Sequence, residues 1–171
     1  MKIESTPWYA LFVITGQEEK TKVAIEATFK DIKAIVPTRE LRERKSGKWE
    51  IVKRKLFPGY VLLKGEISVE DYYKMKTLPL ATNFLKDEDG LLEIDKRELR
   101  ALNILLREDE NVGISIAYKI DEKIKIIQGP LAGFEANIES IDARKGRAKV
   151  KMDFLGETRI VQLGIDFIDK I

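Results

Sequence analysis

The chain has 171 residues, of which 35% are charged, and its formal net charge is only +2. It contains no cysteine and no histidine, which excludes disulfides, thiolate sites, nearly all zinc sites and the nucleophile systems that depend on histidine. The phosphate-holding motifs GxxxxGK[ST] and GxGxxG are also absent. We therefore expect a binding protein, not an enzyme, with neither cofactor nor metal. Because the sequence lacks a long apolar run and a signal peptide, we expect a cytoplasmic protein with no membrane contact.

The first part of the chain alternates predicted strands and helices. An almost continuous apolar run from Trp8 to Ile14 predicts a buried strand, and apolar residues at helical spacing predict a helix over 17–29. Interleaved strands and helices within 106 residues favour the α+β class, as an antiparallel sheet covered by helices. Further predicted elements are strands at 32–36, 61–63 and 81–85, a charged hairpin over 38–53, an acidic turn at 87–90, and helices that begin at the capping-box spacings 68–71 and 95–98.

Residues 53–63 run from three cations through an aromatic turn into an apolar strand. Pro58 fixes φ for a turn and Gly59 accepts a positive φ, so the pair reverses the chain direction. The reversal leaves Phe57 and Tyr60 at the edge of a sheet. Two rings beside a basic surface indicate a docking patch for a partner, with burial of both rings in the core as the alternative.

The second part of the chain has a different pattern. Residues 107–116 begin with an acidic, non-periodic stretch that is typical of a linker. Short apolar runs separated by glycine turns follow it, and they predict a small all-β barrel over 117–171. The strands are predicted at 123–127, 136–141, 148–152 and 159–162.

The order of these motifs resembles the NusG family of transcription elongation factors over nearly the whole chain. The resemblance rests on Pro-Trp-Tyr at 7–9, Thr-Gly-Gln-Glu at 15–18, Val-Pro-Thr at 36–38 and Arg-Lys-Leu-Phe-Pro-Gly-Tyr-Val at 54–61. Residues 124–134 resemble the KOW motif that follows a linker in this family. The resemblance implies an NGN-like domain over 1–106, a linker over 107–116 and an SH3-like KOW barrel over 117–171.

In function, the resemblance implies a monomeric protein that binds the clamp helices of RNA polymerase through an aromatic and apolar patch. The barrel would recruit a second ligand, and neither task needs a cofactor. The motif positions around the polymerase-binding patch are Trp8, Tyr9, Phe57, Pro58, Gly59 and Tyr60.

The sequence also departs from the general family pattern. Glu157 stands where general members tend to carry arginine, in the turn that usually contacts ribosomal protein S10 or termination factor Rho. We therefore interpret the chain as a specialised antitermination factor of the LoaP type. Two alternatives stay open, namely a general NusG that couples polymerase to Rho or S10, and a stand-alone KOW-type RNA-binding protein.

Two basic segments are candidate nucleic-acid contacts. Residues 39–55, which begin within the hairpin predicted over 38–53, hold eight basic and three acidic side chains, a net charge of +5. This charge suits either a solvated surface or a contact with the non-template DNA strand. In the barrel, five cations fall within eight residues, and they predict a binding face for an RNA hairpin. The candidate RNA-binding residues are Arg144, Lys145, Arg147, Lys149, Lys151 and Arg159.

Overall fold

The computed structural model describes residues 6–78, 92–106 and 109–168. The chain forms two compact units, one from residues 1–37 and 57–96 and the other from residues 38–56 and 97–171. Within the described ranges, no helix is both long and apolar enough to cross a membrane. The predicted strand at 81–85 and the acidic turn at 87–90 lie outside the described residues.

The first unit is built on a four-stranded sheet in the order β2-β5-β1-β6. Residues on one face of this sheet, among them Leu11 and Leu63, pack with Ile25 of the first helix and Met75 of the second in a buried cluster. The strands and helices of this unit are β1 (Trp8–Phe12), α1 (Glu18–Thr28), β2 (Lys33–Ile35), β5 (Tyr60–Lys64), α2 (Val69–Thr77) and β6 (Leu92–Glu93).

The start of α2 confirms the capping-box prediction. The Ser68 hydroxyl accepts a hydrogen bond from the Asp71 backbone N–H at 3.0 Å, and the Asp71 carboxylate accepts one from the Ser68 N–H at 3.1 Å. Two N–H groups that the helix itself leaves without acceptors are thereby satisfied. A pattern of four residues therefore fixed this helix start.

The second unit contains the basic hairpin, the third helix and a five-stranded sheet. Strands β3 and β4 form the predicted hairpin around Ser46 and Gly47, which both have positive φ. The five-stranded sheet has the order β10-β11-β12-β8-β9, in which β8 and β12 are parallel. The elements of this unit are β3 (Thr38–Lys45), β4 (Lys48–Lys55), α3 (Lys96–Leu106), β7 (Asn111–Val112), β8 (Ser115–Ile120), β9 (Lys123–Gln128), β10 (Ile138–Asp142), β11 (Arg147–Phe154) and β12 (Glu157–Phe167).

Most predicted elements are confirmed to within a few residues, but the segment predicted as a linker is partly strand. Strand β7 pairs in parallel with β3, and Val112 is buried there. Strand β8 was not predicted because its inward positions carry small side chains. Ser115 and Ala117 are fully buried, yet they give no strong apolar signal in the sequence. The Ser115 hydroxyl instead accepts a hydrogen bond from the Leu131 N–H at 2.9 Å.

Candidate functional site

The aromatic turn after β4 has the predicted geometry. The Tyr60 N–H donates to the Phe57 carbonyl at 3.2 Å, and Gly59 has a φ of +87°. Proline at the second position and a glycine with positive φ at the third are what a type II turn requires. Because this turn opens β5, its geometry sets where Tyr60 enters the sheet.

A buried carboxylate, Glu18, holds this turn in place. Only 2% of Glu18 is exposed, although it is the first residue of α1. Its Oε2 accepts a hydrogen bond from the Gly59 N–H at 3.1 Å, and its Oε1 accepts one from the Gly16 N–H at 2.6 Å. The Val13 N–H in turn donates to the Gly59 carbonyl at 2.8 Å. One side chain thus connects the start of α1 to the aromatic turn, a role that Glu18 was not assigned from the sequence.

Three aromatic rings share the face of the first sheet that is opposite the helix-packed cluster. Trp8 and Phe12 are on the same side of β1, and Tyr60 on the neighbouring strand β5 lies directly opposite Phe12. The Phe12 and Tyr60 rings meet edge to face, with centroids 5.2 Å apart. Trp8 is buried, whereas Phe12 and Tyr60 are half-buried. Phe12 was missed in the sequence, although its period-two spacing from Trp8 signals a shared face.

Two predicted patch residues are placed differently from the expectation. Tyr9 lies on the opposite face of β1 and packs against the buried cluster. Burial, followed by the charges of Glu93 and Glu66, raises the pKa of its hydroxyl. The expectation of an exposed Phe57 ring is wrong, because Phe57 is only 3% exposed. Pro58, by contrast, is exposed at the tip of the turn.

The predicted RNA-binding face divides into separate parts. Lys149 and Lys151 are exposed on one side of β11, while Ala148 and Val150 on the other side are buried. Lys151 also pairs with Glu139 at 3.6 Å. Arg144 and Lys145 are exposed in the turn before β11.

Arg147 shares the side of Lys149 but is already engaged. Its guanidinium donates to the Gln162 Oε1 at 3.2 Å and to the Arg42 carbonyl at 3.3 Å. Arg159 pairs with Met152 in the strand register, so it lies on the opposite side from Lys149 and Lys151. Its guanidinium covers the Phe154 ring at 5.3 Å. The suggestion that Arg159 extends the Lys149 face is therefore wrong, and Ile160, which is 53% exposed, occupies that position.

Part of the basic hairpin is likewise engaged with β12. The Arg39 Nη1 donates to the Gln162 carbonyl at 2.7 Å, and Arg42 pairs with Asp166 at 3.0 Å. Burial and the nearby charge of Arg147 lower the pKa of the Arg39 guanidinium. Several hairpin cations therefore have structural partners within this unit. No group of three or more acidic side chains in the described ranges is placed to hold a metal ion.

Comparisons with known proteins agree with the motifs of both units. A family model described as transcription termination factor nusG matches residues 6–103. The chain belongs to the NusG family. It is 31% identical to the transcription termination/antitermination protein NusG of Bacillus subtilis, over 96% of this chain and 98% of that protein. The protein of the same name from Haemophilus influenzae is 30% identical, over 96% and 94%.

A solved structure resembles the chain over most of its length. The structure, titled Domain interaction in Thermotoga maritima NusG, is 27% identical and covers 93% of each chain with a TM-score of 0.55. The protein is thus a NusG-type transcription factor with helices and sheets in its first part and a strand-rich C-terminal part. Its relatives act in transcription termination and antitermination, as their names state.

Proposed function

We propose that this NusG-family protein binds the clamp helices of RNA polymerase through the face of the first sheet that carries Trp8, Phe12 and Tyr60. The observation that supports this most is the edge-to-face pair of Phe12 and Tyr60, which is half-buried where β1 ends and β5 begins. Rigid aromatic rings supply contact area at a low entropic cost, and interface energy concentrates in such anchors. Binding that favours one polymerase conformation shifts the population toward it and away from paused states.

Tyr60→Ala tests this proposal. We expect affinity for purified core polymerase to fall about tenfold or more, the range of an interface anchor. Tyr73→Ala is the matched control, because Tyr73 is 60% exposed on α2 and the substitution removes the same ring elsewhere. Thermal melts of both variants separate lost binding from lost folding. Equal affinity of the two variants for polymerase would contradict the proposal.

Phe57 keeps its place in the proposal as a support of the turn. Its ring is buried, so Phe57→Ala removes core packing and is expected to lower the free energy of unfolding by about 3–5 kcal/mol. Tyr9, Pro58 and Gly59 are proposed to act in the same way, by shaping the strand and turn that present Tyr60.

For the C-terminal part, we propose that residues 117–171 form a KOW domain of SH3-like type that binds an RNA hairpin. The exposed lysines on β11 and the cations of the preceding turn support this, because they form a positive edge with apolar residues on the reverse side. Arg147 and Arg159 contribute less, since both already contact other groups of the same unit. Residues 1–106 and 107–116 are proposed as the NGN-like domain and the linker.

Salt dependence of RNA binding tests the second proposal. In the double variant Lys149→Gln and Lys151→Gln, the slope of log affinity against log salt should become shallower by about 0.7–0.9 for each lost phosphate contact. Lys123→Gln with Lys125→Gln is the control, because these exposed lysines have the same spacing on β9. If a leader-RNA hairpin gives the same slope of log affinity against log salt with both double variants and the unaltered protein, this face does not bind the RNA.

The LoaP-type assignment rests on Glu157, which is exposed at the start of β12, directly after the turn from β11. We expect no measurable affinity for ribosomal protein S10 or Rho, because the charge at this position is reversed relative to the general family pattern. If the protein binds S10 with an affinity comparable to that of a general NusG, the general function replaces the specialised one. Failure to bind polymerase at all would favour a stand-alone KOW-type RNA-binding protein.

A further inference from the structure

One face of the β3–β4 hairpin combines exposed apolar side chains with cations. Trp49 is 45% exposed and Ile51 is 64% exposed, which are high values for such large apolar groups. In the strand register Arg44 pairs with Trp49 and Arg42 pairs with Ile51. Because alternate residues of a strand share a face, Lys53 lies on this face too. We call the surface formed by these five residues the Trp49 face.

The charge on the Trp49 face is predominantly positive. The Arg42 guanidinium lies 5.8 Å from the centre of the Trp49 ring and also pairs with the exposed carboxylate of Asp166. Arg44, directly across from Trp49, and Lys53, the next residue on this face beyond Ile51, are both exposed.

The acidic side chains of the hairpin are directed elsewhere. Glu43 lies on the opposite face, where both of its carboxylate oxygens bind Arg54 at 2.6 and 2.8 Å. Glu50 also lies on that opposite face by strand alternation. Glu40 shares the side of the Trp49 face, and it accepts a hydrogen bond from the Asn111 amide at 2.9 Å. An anionic ligand on the Trp49 face thus meets a ring and three cations, with Glu40 already bonded.

We propose that the Trp49 face binds single-stranded nucleic acid, with a base stacked on the Trp49 ring and phosphates on Arg44 and Lys53. Aromatic platforms beside cations are the common means of holding unpaired bases, because every base has a π face and every linkage a negative charge. An exposed ring alone would fit many partners, but the surrounding cations favour a polyanion with flat apolar groups. Trp49, Arg44 and Lys53 would be the residues through which the hairpin makes the DNA contact considered for it from the sequence.

The distances along the strand suit a short oligonucleotide. Trp49 and Lys53 are four residues apart on β4, which is about 13 Å along a strand. Arg44 lies directly across from Trp49 on β3. A short oligonucleotide that follows β4 from a base stacked on Trp49 would therefore pass both cations.

Titration of the full chain with the 15-mers dT and rU measures the proposed binding directly. Stacking contributes about 1–3 kcal/mol per base, so Trp49→Ala should weaken binding about five- to 150-fold. Trp49→Phe keeps a stacking ring and should retain most of the affinity. Tyr73→Ala removes an exposed ring from α2 and should have no effect. If Trp49→Ala weakens binding to only one of the two oligonucleotides, that result identifies whether the face prefers RNA or DNA.

A second measurement separates stacking from charge. Arg44→Gln with Lys53→Gln should make the salt slope shallower by about 1.4, at about 0.7 for each single-strand phosphate contact, while Trp49→Ala should leave the slope unchanged. Wild-type affinity in a folded Trp49→Ala variant would overturn the proposal. So would sedimentation data in which the protein self-associates and Trp49→Ala makes it monomeric, because the face would then join two copies of the chain.

These results are distinguishable from a failure of the polymerase proposal, because neither titration contains polymerase. Trp49→Ala should also bind core polymerase as tightly as the unaltered protein in the absence of nucleic acid. A loss of that affinity would assign the Trp49 face to polymerase and overturn nucleic-acid stacking.

Discussion

Strands β4 and β11 have the same length and similar numbers of cations, yet they expose different chemistry. In β11 every second residue is buried, and lysines occupy the outward positions between Ala148, Val150 and Met152. In β4 no residue is fully buried, and Trp49 and Ile51 remain exposed among the cations. The apolar residues of an alternating strand are buried in the core of its own unit. When neither face of a strand is covered, as in β4, its apolar side chains remain accessible to a ligand. The two surfaces therefore differ in where their apolar groups lie and not in how many charges they carry.

The largest expected difference between the strands is in stability. Phe154 at the end of β11 is 1% exposed, and Phe154→Ala should lower the free energy of unfolding by about 3–5 kcal/mol. Trp49→Ala on β4 should change it by no more than about 0.5 kcal/mol. Urea unfolding of both variants measures this contrast. A similar loss in the two variants would mean that Trp49 is part of a core after all.

The turns that follow the two strands give the next contrast. Each donates backbone N–H groups to a distant carboxylate, namely Gly59 to buried Glu18 and both Leu155 and Gly156 to half-exposed Glu98. Glu18→Ala should lower the free energy of unfolding by about 1–3 kcal/mol, because the buried Gly59 N–H loses an acceptor that water cannot replace.

Glu98→Ala should lower the free energy of unfolding less than Glu18→Ala does, because water reaches the exposed Gly156 N–H. Glu18→Gln serves as the control that keeps the shape and one acceptor oxygen, and it should lie between Glu18→Ala and the unaltered protein. Thermal unfolding ranks the three variants. The reverse ranking of the two alanine variants would contradict the burial argument.

Backbone packing between the hairpin and β12 can be tested at Gly164. A Cβ at this position would lie 2.5 Å from the Glu40 carbonyl oxygen and 2.9 Å from the Ile114 Cγ1. Gly164→Ala should therefore destabilise the protein by about 1–3 kcal/mol through overpacking. Gly113→Ala is the matched control, since a Cβ there meets nothing within 4 Å. Equal stability of the two variants would show that β3 and β12 separate readily.

The smallest effect concerns the pH response of the opposite face of the hairpin. Hydrogen bonding from Arg54 lowers the pKa of the Glu43 carboxylate below its ordinary value. Because this pKa is lower in the folded than in the unfolded state, the Glu43–Arg54 pair stabilises the hairpin fully at pH values above the unfolded pKa. This stabilisation is lost as the pH falls through the folded pKa. An NMR titration of Glu43 should show the low pKa, and Arg54→Met should return it toward the ordinary value. An unchanged pKa in that variant would contradict the assignment to Arg54.

Short sequence patterns were sufficient for much of this molecule. The Pro58-Gly59 turn, the capping box at Ser68 and the alternation of β11 each depend on residues that are close in sequence, where φ preferences and strand or helix periods act directly. The family motifs lie in these same segments. The α+β first part and the strand-rich second part followed from them.

Other features depend on contacts between distant segments. The register of β11 against β12 places Arg159 away from Lys149, and packing within the fold buries Phe57 and engages Arg147. The pairing of β7 with β3 gives strand structure to an acidic segment that has no apolar period. Sequence alone thus determined most of the helices, strands and turns, because those choices are local, whereas β7 and β8 became strands through pairing with distant segments. Only the tertiary structure decided which cations and rings remain available, because that depends on the partners that distant strands bring to each side chain.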